Sequence, residues 1–158
     1  MEPLMKSIHP EEEKFRERYS RFINGLRLED MFIEEGSFKR LILSIEDIPE
    51  TAHLEVAVKP TNTEFPVLKD KQFEVRQTLS CSLKFVNKKK KIPLTKIKVS
   101  YYLRYSSEVE VEEKFFDIFQ KRNIPVQIWP YLREFIGNCM YRMGLPPLVL
   151  PVMKIVNL

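Results

Sequence analysis

The chain has 158 residues, 44% of them apolar, with 26 Lys plus Arg against 22 Asp plus Glu and only 4 Gly. That length fits one domain, and that apolar fraction fills a core, so bulk disorder is excluded. The longest uncharged stretch near the end, Met143 to Met153, has 11 residues with three prolines, short of the roughly 18–20 that a membrane helix needs.

The charge is local. Lys84 to Lys98 holds seven lysines and no acid, and the rest of the chain carries 19 basic against 22 acidic residues. The start of the chain shows no apolar signal-peptide core, and a cytoplasmic protein is the expectation. Cys81 and Cys139 are 58 positions apart with no histidine nearby, so no zinc spacing arises and each reads as a small buried apolar residue. His9 and His53 are isolated. No phosphate loop, nucleophile elbow or zinc-protease motif occurs. Acid pairs such as Glu34-Glu35 and Glu112-Glu113 read as solvated surface. The sequence predicts neither a cofactor nor a metal, and it gives no constellation for an enzyme.

In chain order, Pro10 to Asn24 is expected to be a helix. A proline and three glutamates open it and Gly25 follows it, which suits helix termini and dipole. Phe15, Tyr19, Phe22 and Ile23 form one apolar stripe, expected to pack on the rest of the domain. Leu26 to Ile33 reads as extended, with Leu26, Leu28, Asp30 and Phe32 on one face. Phe38 to Ile45 is a second apolar run. Ile48 to Thr51 is a break. Leu54, Val56 and Val58 then alternate with Glu55, Ala57 and Lys59, and Pro60 to Pro66 reads as a loop.

The clearest pattern is Phe73 to Phe85. Phe73, Val75, Gln77, Leu79, Cys81, Leu83 and Phe85 share one face, which is the period of a half-buried strand. After Asn87 and the run Lys88 to Lys91, residues Ile97, Val99, Tyr101, Leu103 and Tyr105 alternate in the same way. Two such runs around a polar turn make an antiparallel hairpin. The turn lysines read either as a solvated tip that discourages edge pairing or as a patch for nucleic acid, an anionic surface or an acidic partner. No aromatic residues are interleaved with them, which weakens the nucleic-acid reading.

Glu112 to Arg122 is expected to be a short helix, and Ile128 to Met143 a longer one stopped by Gly144. The tail Leu145 to Val152 holds too many prolines for a helix and reads as an apolar strap. Strands first and helices last give an α+β fold, an antiparallel sheet with helices on one face.

The last third of the chain resembles the SecB export-chaperone family. Asn123-Ile124 followed by Trp129-Pro130-Tyr131-Leu132-Arg133-Glu134 is similar to the family's signature at the start of its main helix. Gly144-Leu145-Pro146-Pro147-Leu148-Val149-Leu150-Pro151-Val152 is similar to its strap. The resemblance implies a four-stranded antiparallel sheet backed by helices over residues 26–158, with residues 1–25 as an added N-terminal helical extension. It further implies a homotetramer, a dimer of dimers, with Leu132, Phe135, Ile136 and Met140 in the core and oligomer interface.

The function it implies is ATP-independent holding of unfolded or precursor polypeptides for protein export and translocation. A holdase needs spare apolar surface with adaptable contacts. Phe38, Ile42, Ile45, Ile48, Phe115, Phe119, Trp129, Leu148 and Leu150 are the expected client groove. Asp30 and Glu34 stand where the family's acidic sheet face docks the basic tail of SecA. The hairpin tip, usually acidic in the family, is in this chain the run Lys88 to Lys91, which would repel such a basic partner. Some relatives instead serve a toxin–antitoxin system, with an antitoxin's tail as client.

Overall fold

A computed structural model describes residues 9–65 and 71–150. Helix α1 (Pro10–Asn24) leads into strand β1 (Leu26–Arg40). Strands β2 (His53–Glu64), β3 (Gln72–Asn87) and β4 (Lys90–Ser107) follow, then helices α2 (Phe115–Arg122) and α3 (Ile124–Arg142). The strands form one antiparallel sheet in the order β1-β4-β3-β2. Three strands run on consecutively and β1 lies beside the last, a Greek-key arrangement. The expected α+β class and four-stranded antiparallel sheet are what the structure shows.

The alternation of β3 and β4 is realised as read. Phe73, Val75, Cys81 and Leu83 are buried with Ile97, Val99, Tyr101, Leu103 and Tyr105, and they pack against Ile128, Leu132, Ile136 and Met140 of α3. Leu132, Ile136 and Met140 therefore serve this chain's own core, and at 2% exposure or less they leave no area for an oligomer contact. Phe135 is only partly buried. Its ring lies where a Cβ on Gly36 of β1 would meet it at 3.0 Å, so the missing side chain admits the ring.

Helix α2 starts at Phe115 rather than at Glu112, and three larger differences from the sequence reading concern β1, β2 and α3. The first is β1, one continuous strand with register shifts between Leu28 and Asp30 and between Ile33 and Glu35. Each bulge adds a residue and reverses the facing. Leu28 and Ile33 thus oppose the buried Tyr105 and Tyr101, whereas Asp30 and Phe32 oppose the outward Arg104 and Tyr102. The second is β2, which runs through Pro60 to Glu64 with a shift at Pro60/Asn62. Proline is tolerated there because β2 is an edge strand and the position is bulged. The third is α3, which begins at Ile124 with Pro125 in its first turn, where a missing N–H costs nothing. Pro130 lies inside it.

The hairpin turn is tighter than the lysine run suggests, because Lys90 and Lys91 are already in β4 and pair with Asn87 and Val86. Lys88 takes φ +56°, a left-handed conformation that costs a side chain about 1–2 kcal/mol. Lys88→Gly is expected to stabilise the fold by about 0.5–1 kcal/mol, because glycine's larger unfolded-state entropy offsets part of the relief. Urea unfolding measures this, with an unchanged m-value expected.

Helix α3 ends as its Gly144 predicts. Gly144 has φ +65°, its N–H donates to the Tyr141 carbonyl, and the Leu145 N–H donates to the Met140 carbonyl at 3.0 Å. Both bonds define a Schellman cap. Arg40, the last residue of β1, ties this end down. Its guanidinium donates to the Met143 carbonyl at 2.8 Å and to the carbonyls of Ile42 and Leu43. The crossover from β1 to β2 is thereby fixed to the helix terminus, whose partial negative charge suits a cation.

Helix α1 packs as its stripe predicts. Phe22 is fully buried and stacks on Phe115 with ring centroids 4.9 Å apart, and Phe15 and Tyr19 also meet Phe115. Tyr19 donates a hydrogen bond to the Asn123 side chain at 2.8 Å, and Arg18 pairs with Glu112 at 2.7 Å.

Candidate functional site: an apolar furrow beside β2

Strand β2 presents Leu54, Val56, Val58 and Pro60 to the helix side of the sheet, opposite Phe85, Leu83, Cys81 and Leu79 of β3. The helices do not fully cover this strand, and Leu54 and Val56 are each 37% exposed. Between β2 and the helices lies a cavity of about 400 Å³, walled by Val58, Pro60 and Leu79 on one side and Ile124, Trp129 and Leu132 on the other. A smaller apolar hollow of about 70 Å³ continues the line, bounded by Leu54 and Phe85, by Ile45 and Ile48 of the crossover, and by Leu148 of the strap. Val56 lies between the two on the same face.

From Leu54 to Pro60 the strand rises about 20 Å at roughly 3.3 Å per residue. That length matches an extended peptide of about six residues. One end of the furrow is polar. Gln77 is 4% exposed there. It donates to the carbonyls of Asn62 and Thr78 and accepts from the Thr63 hydroxyl at 2.6 Å, and Gln120 donates to that hydroxyl. This network satisfies the buried amide.

The expected groove residues divide. Ile45, Ile48, Trp129 and Leu148 line the furrow. Phe38 belongs to the opposite sheet edge, on β1, at 44% exposure. The assignment of Phe115 and Phe119 is corrected, because they are 1% and 0% exposed in a ring cluster with Phe22 and Phe73. The added helix α1 seals them. Ile42 and Leu150, at 8% and 2% exposure, are likewise core in this chain. The strap's Pro151 and Val152 lie outside the described residues. Leu54, Val56, Val58, Pro60 and Leu79 were not assigned to a groove from sequence; the alternation of β2 was the available signal.

Asp30 and Glu34 lie on the outer sheet face, each beside an arginine. Arg76 Nε donates to Glu34 at 3.0 Å, and Arg104 stands 3.9 Å from Asp30. Both cysteines are free and buried. Burial, with Cys139 nearby, pushes the Cys81 thiol up to about 11, and burial also raises Cys139. Neither is primed as a thiolate nucleophile. Among the described residues no group of three His, Cys, Asp or Glu side chains is placed to hold a metal ion, and no helix is long and apolar enough to cross a membrane.

The sequence matches no protein-family model and no curated protein. The fold does match a solved structure, that of the Mycobacterium tuberculosis Rv1957 SecB-like chaperone in complex with a ChAD peptide from the Rv1956 HigA1 antitoxin. The TM-score is 0.68 at 16% identity, over 89% of this chain and 99% of that one. This chain therefore has the SecB-like fold. A protein of unknown function from Streptococcus agalactiae aligns at a TM-score of 0.35 and 14% identity, over 80% of this chain and 96% of that one.

Proposed function

We propose that this protein is an ATP-independent holdase that keeps unfolded polypeptides from aggregating by taking short extended segments into the furrow beside β2. The observation that carries this reading is the exposed inner face of β2, where apolar side chains face a cavity that the chain's own helices leave open. Contacts made by Leu, Val, Pro and Trp offer area without fixed polar partners, so they accept many sequences. An edge strand also offers unpaired backbone donors and acceptors to an extended guest. The SecB-like fold, seen in a chaperone that holds an antitoxin peptide, supports a peptide-holding role. The reading includes assembly into a homotetramer in the cytoplasm, which would lengthen the apolar track.

A second reading has a specific support. The matched M. tuberculosis chaperone carries an antitoxin peptide, so a client restricted to an antitoxin's tail is the narrower form of the same activity. Docking of SecA on Asp30 and Glu34 has weaker support, since Arg104 and Arg76 stand beside those acids and compete with a basic partner for them.

The test is suppression of aggregation of a reduced, unfolded model substrate. Light scattering is expected to fall in proportion to added protein and to vanish near stoichiometric amounts, without nucleotide. No suppression at a several-fold excess rejects the general holdase. Suppression confined to an antitoxin supports the narrower form.

A further inference from the structure

The face of the sheet turned away from the helices carries a second hollow, rimmed by cations. Its volume is about 630 Å³, and Lys39, Lys59, Lys96 and Lys98 rim it over a floor that includes Ser80 and Ser82. The topology gathers these lysines from three strands. Lys39 of β1 sits directly opposite Lys96 of β4, and Lys98 is separated from Lys59 of β2 only by Ser80 of β3. None of the four makes an ion pair among the described residues. Like charges directly opposed across a sheet destabilise it, so this arrangement favours an anion from outside.

We propose that this hollow docks a short acidic segment of a partner polypeptide. Lys96 and Lys98 are two residues apart on one strand, about 7 Å, which is the spacing of carboxylates at alternate positions of an extended peptide. The three strand spacings from β1 to β2 span about 14 Å, so the footprint suits a few residues rather than a long polymer. Carboxylates close it on both sides. Glu35 stands in the next row on β1, opposite Ser100, and Glu55 of β2 is paired with Lys84 in the row beyond Ser82. A phosphate backbone running on past the lysines would meet those acids, which argues against nucleic acid. The hollow is on the opposite side of the sheet from the furrow, so a client and an acidic partner fit at once. The proposal does not rest on the holdase reading.

The probe is a fluorescein-labelled decapeptide of alternating Glu and Gly, followed by anisotropy. Binding is expected at about 50 mM salt and at least tenfold weaker at about 500 mM, as screening requires. Lys96→Gln with Lys98→Gln is expected to weaken it at least tenfold while raising the thermal midpoint slightly, through relief of the Lys39–Lys96 repulsion, and leaving the binding of a neutral apolar peptide unchanged. Replacing all four of Lys88 to Lys91 by serine is expected to change it less than twofold. Retained binding in the Lys96/Lys98 variant, loss of it in the turn variant, or tighter binding of a single-stranded oligonucleotide of equal charge overturns the proposal.

Discussion

Leu54→Glu combined with Val56→Glu is expected to weaken binding of a neutral unfolded peptide by about thirtyfold, or about 2 kcal/mol. A Leu or Val side chain contributes about 1.5–3 kcal/mol when it passes fully from water into apolar contact. These two are already partly covered, at 37% exposure each. The area left for a client is therefore worth about 0.5–1 kcal/mol per residue. The remainder comes from the carboxylates, which a peptide seated over them would strip of water without supplying a partner. Leu54→Lys with Val56→Lys is expected to do the same, because the loss follows from desolvating a charge and not from its sign. By the same scale the covered part of the two side chains is worth about 2–4 kcal/mol to folding, so the affinity is read well below each variant's thermal midpoint. Trp129 lines the adjoining cavity of the furrow, so titration by its fluorescence measures the affinity. An unchanged affinity in both variants would remove the furrow from the account.

The other large effect concerns the aromatic cluster beneath α1. Phe22→Ala is expected to cost about 3–5 kcal/mol, the range for deleting a buried phenylalanine ring. Phe22 has no exposed surface, and it contacts Phe115, Phe73 and Phe119 at centroid separations of 4.9 to 5.9 Å. For a chain of this length each kcal/mol moves the thermal midpoint by about 2–4 °C, so calorimetry should show a fall of about 6–20 °C. Phe22→Leu keeps most of the volume and is expected to cost less than half as much. The alanine variant is also expected to bind more of an environment-sensitive apolar dye, because loosening α1 uncovers Phe115. A midpoint within about 3 °C of the parent would mean that α1 is not part of the core.

The sheet's centre was legible because β3 and β4 bury one face and wet the other, and that contrast writes itself into alternate residues. The stop of α3 was legible because a Schellman cap asks for a left-handed residue and Gly144 supplies it. Bulges erase such a signal. Two of them in β1 reverse the facing twice, so one strand reads as two apolar runs with Asp30 on the wrong side. Pro60 marks a loop in isolation, yet it ends nothing on an edge strand whose register is already shifted there.

The site was legible only in part, for a tertiary reason. Leu54 and Val56 stand at alternate positions of a strand just as Val75 and Leu83 do. Whether a helix then covers them depends on where α3 crosses the sheet, which no local pattern states. Phe115 and Phe119 fail in the opposite sense, since they are apolar residues of the right type that α1 happens to seal. The basic hollow draws Lys39 and Lys59 from positions far from the lysine-rich segment that stands out along the chain.

Photo-crosslinking an unfolded peptide to the folded protein, with the attachment points read by mass spectrometry, tests most directly where guests are seated. Adducts at Val58, Leu79 and Trp129 are the predicted outcome. Adducts confined to α1 or to the outer sheet face, with those three residues unmodified, would contradict it.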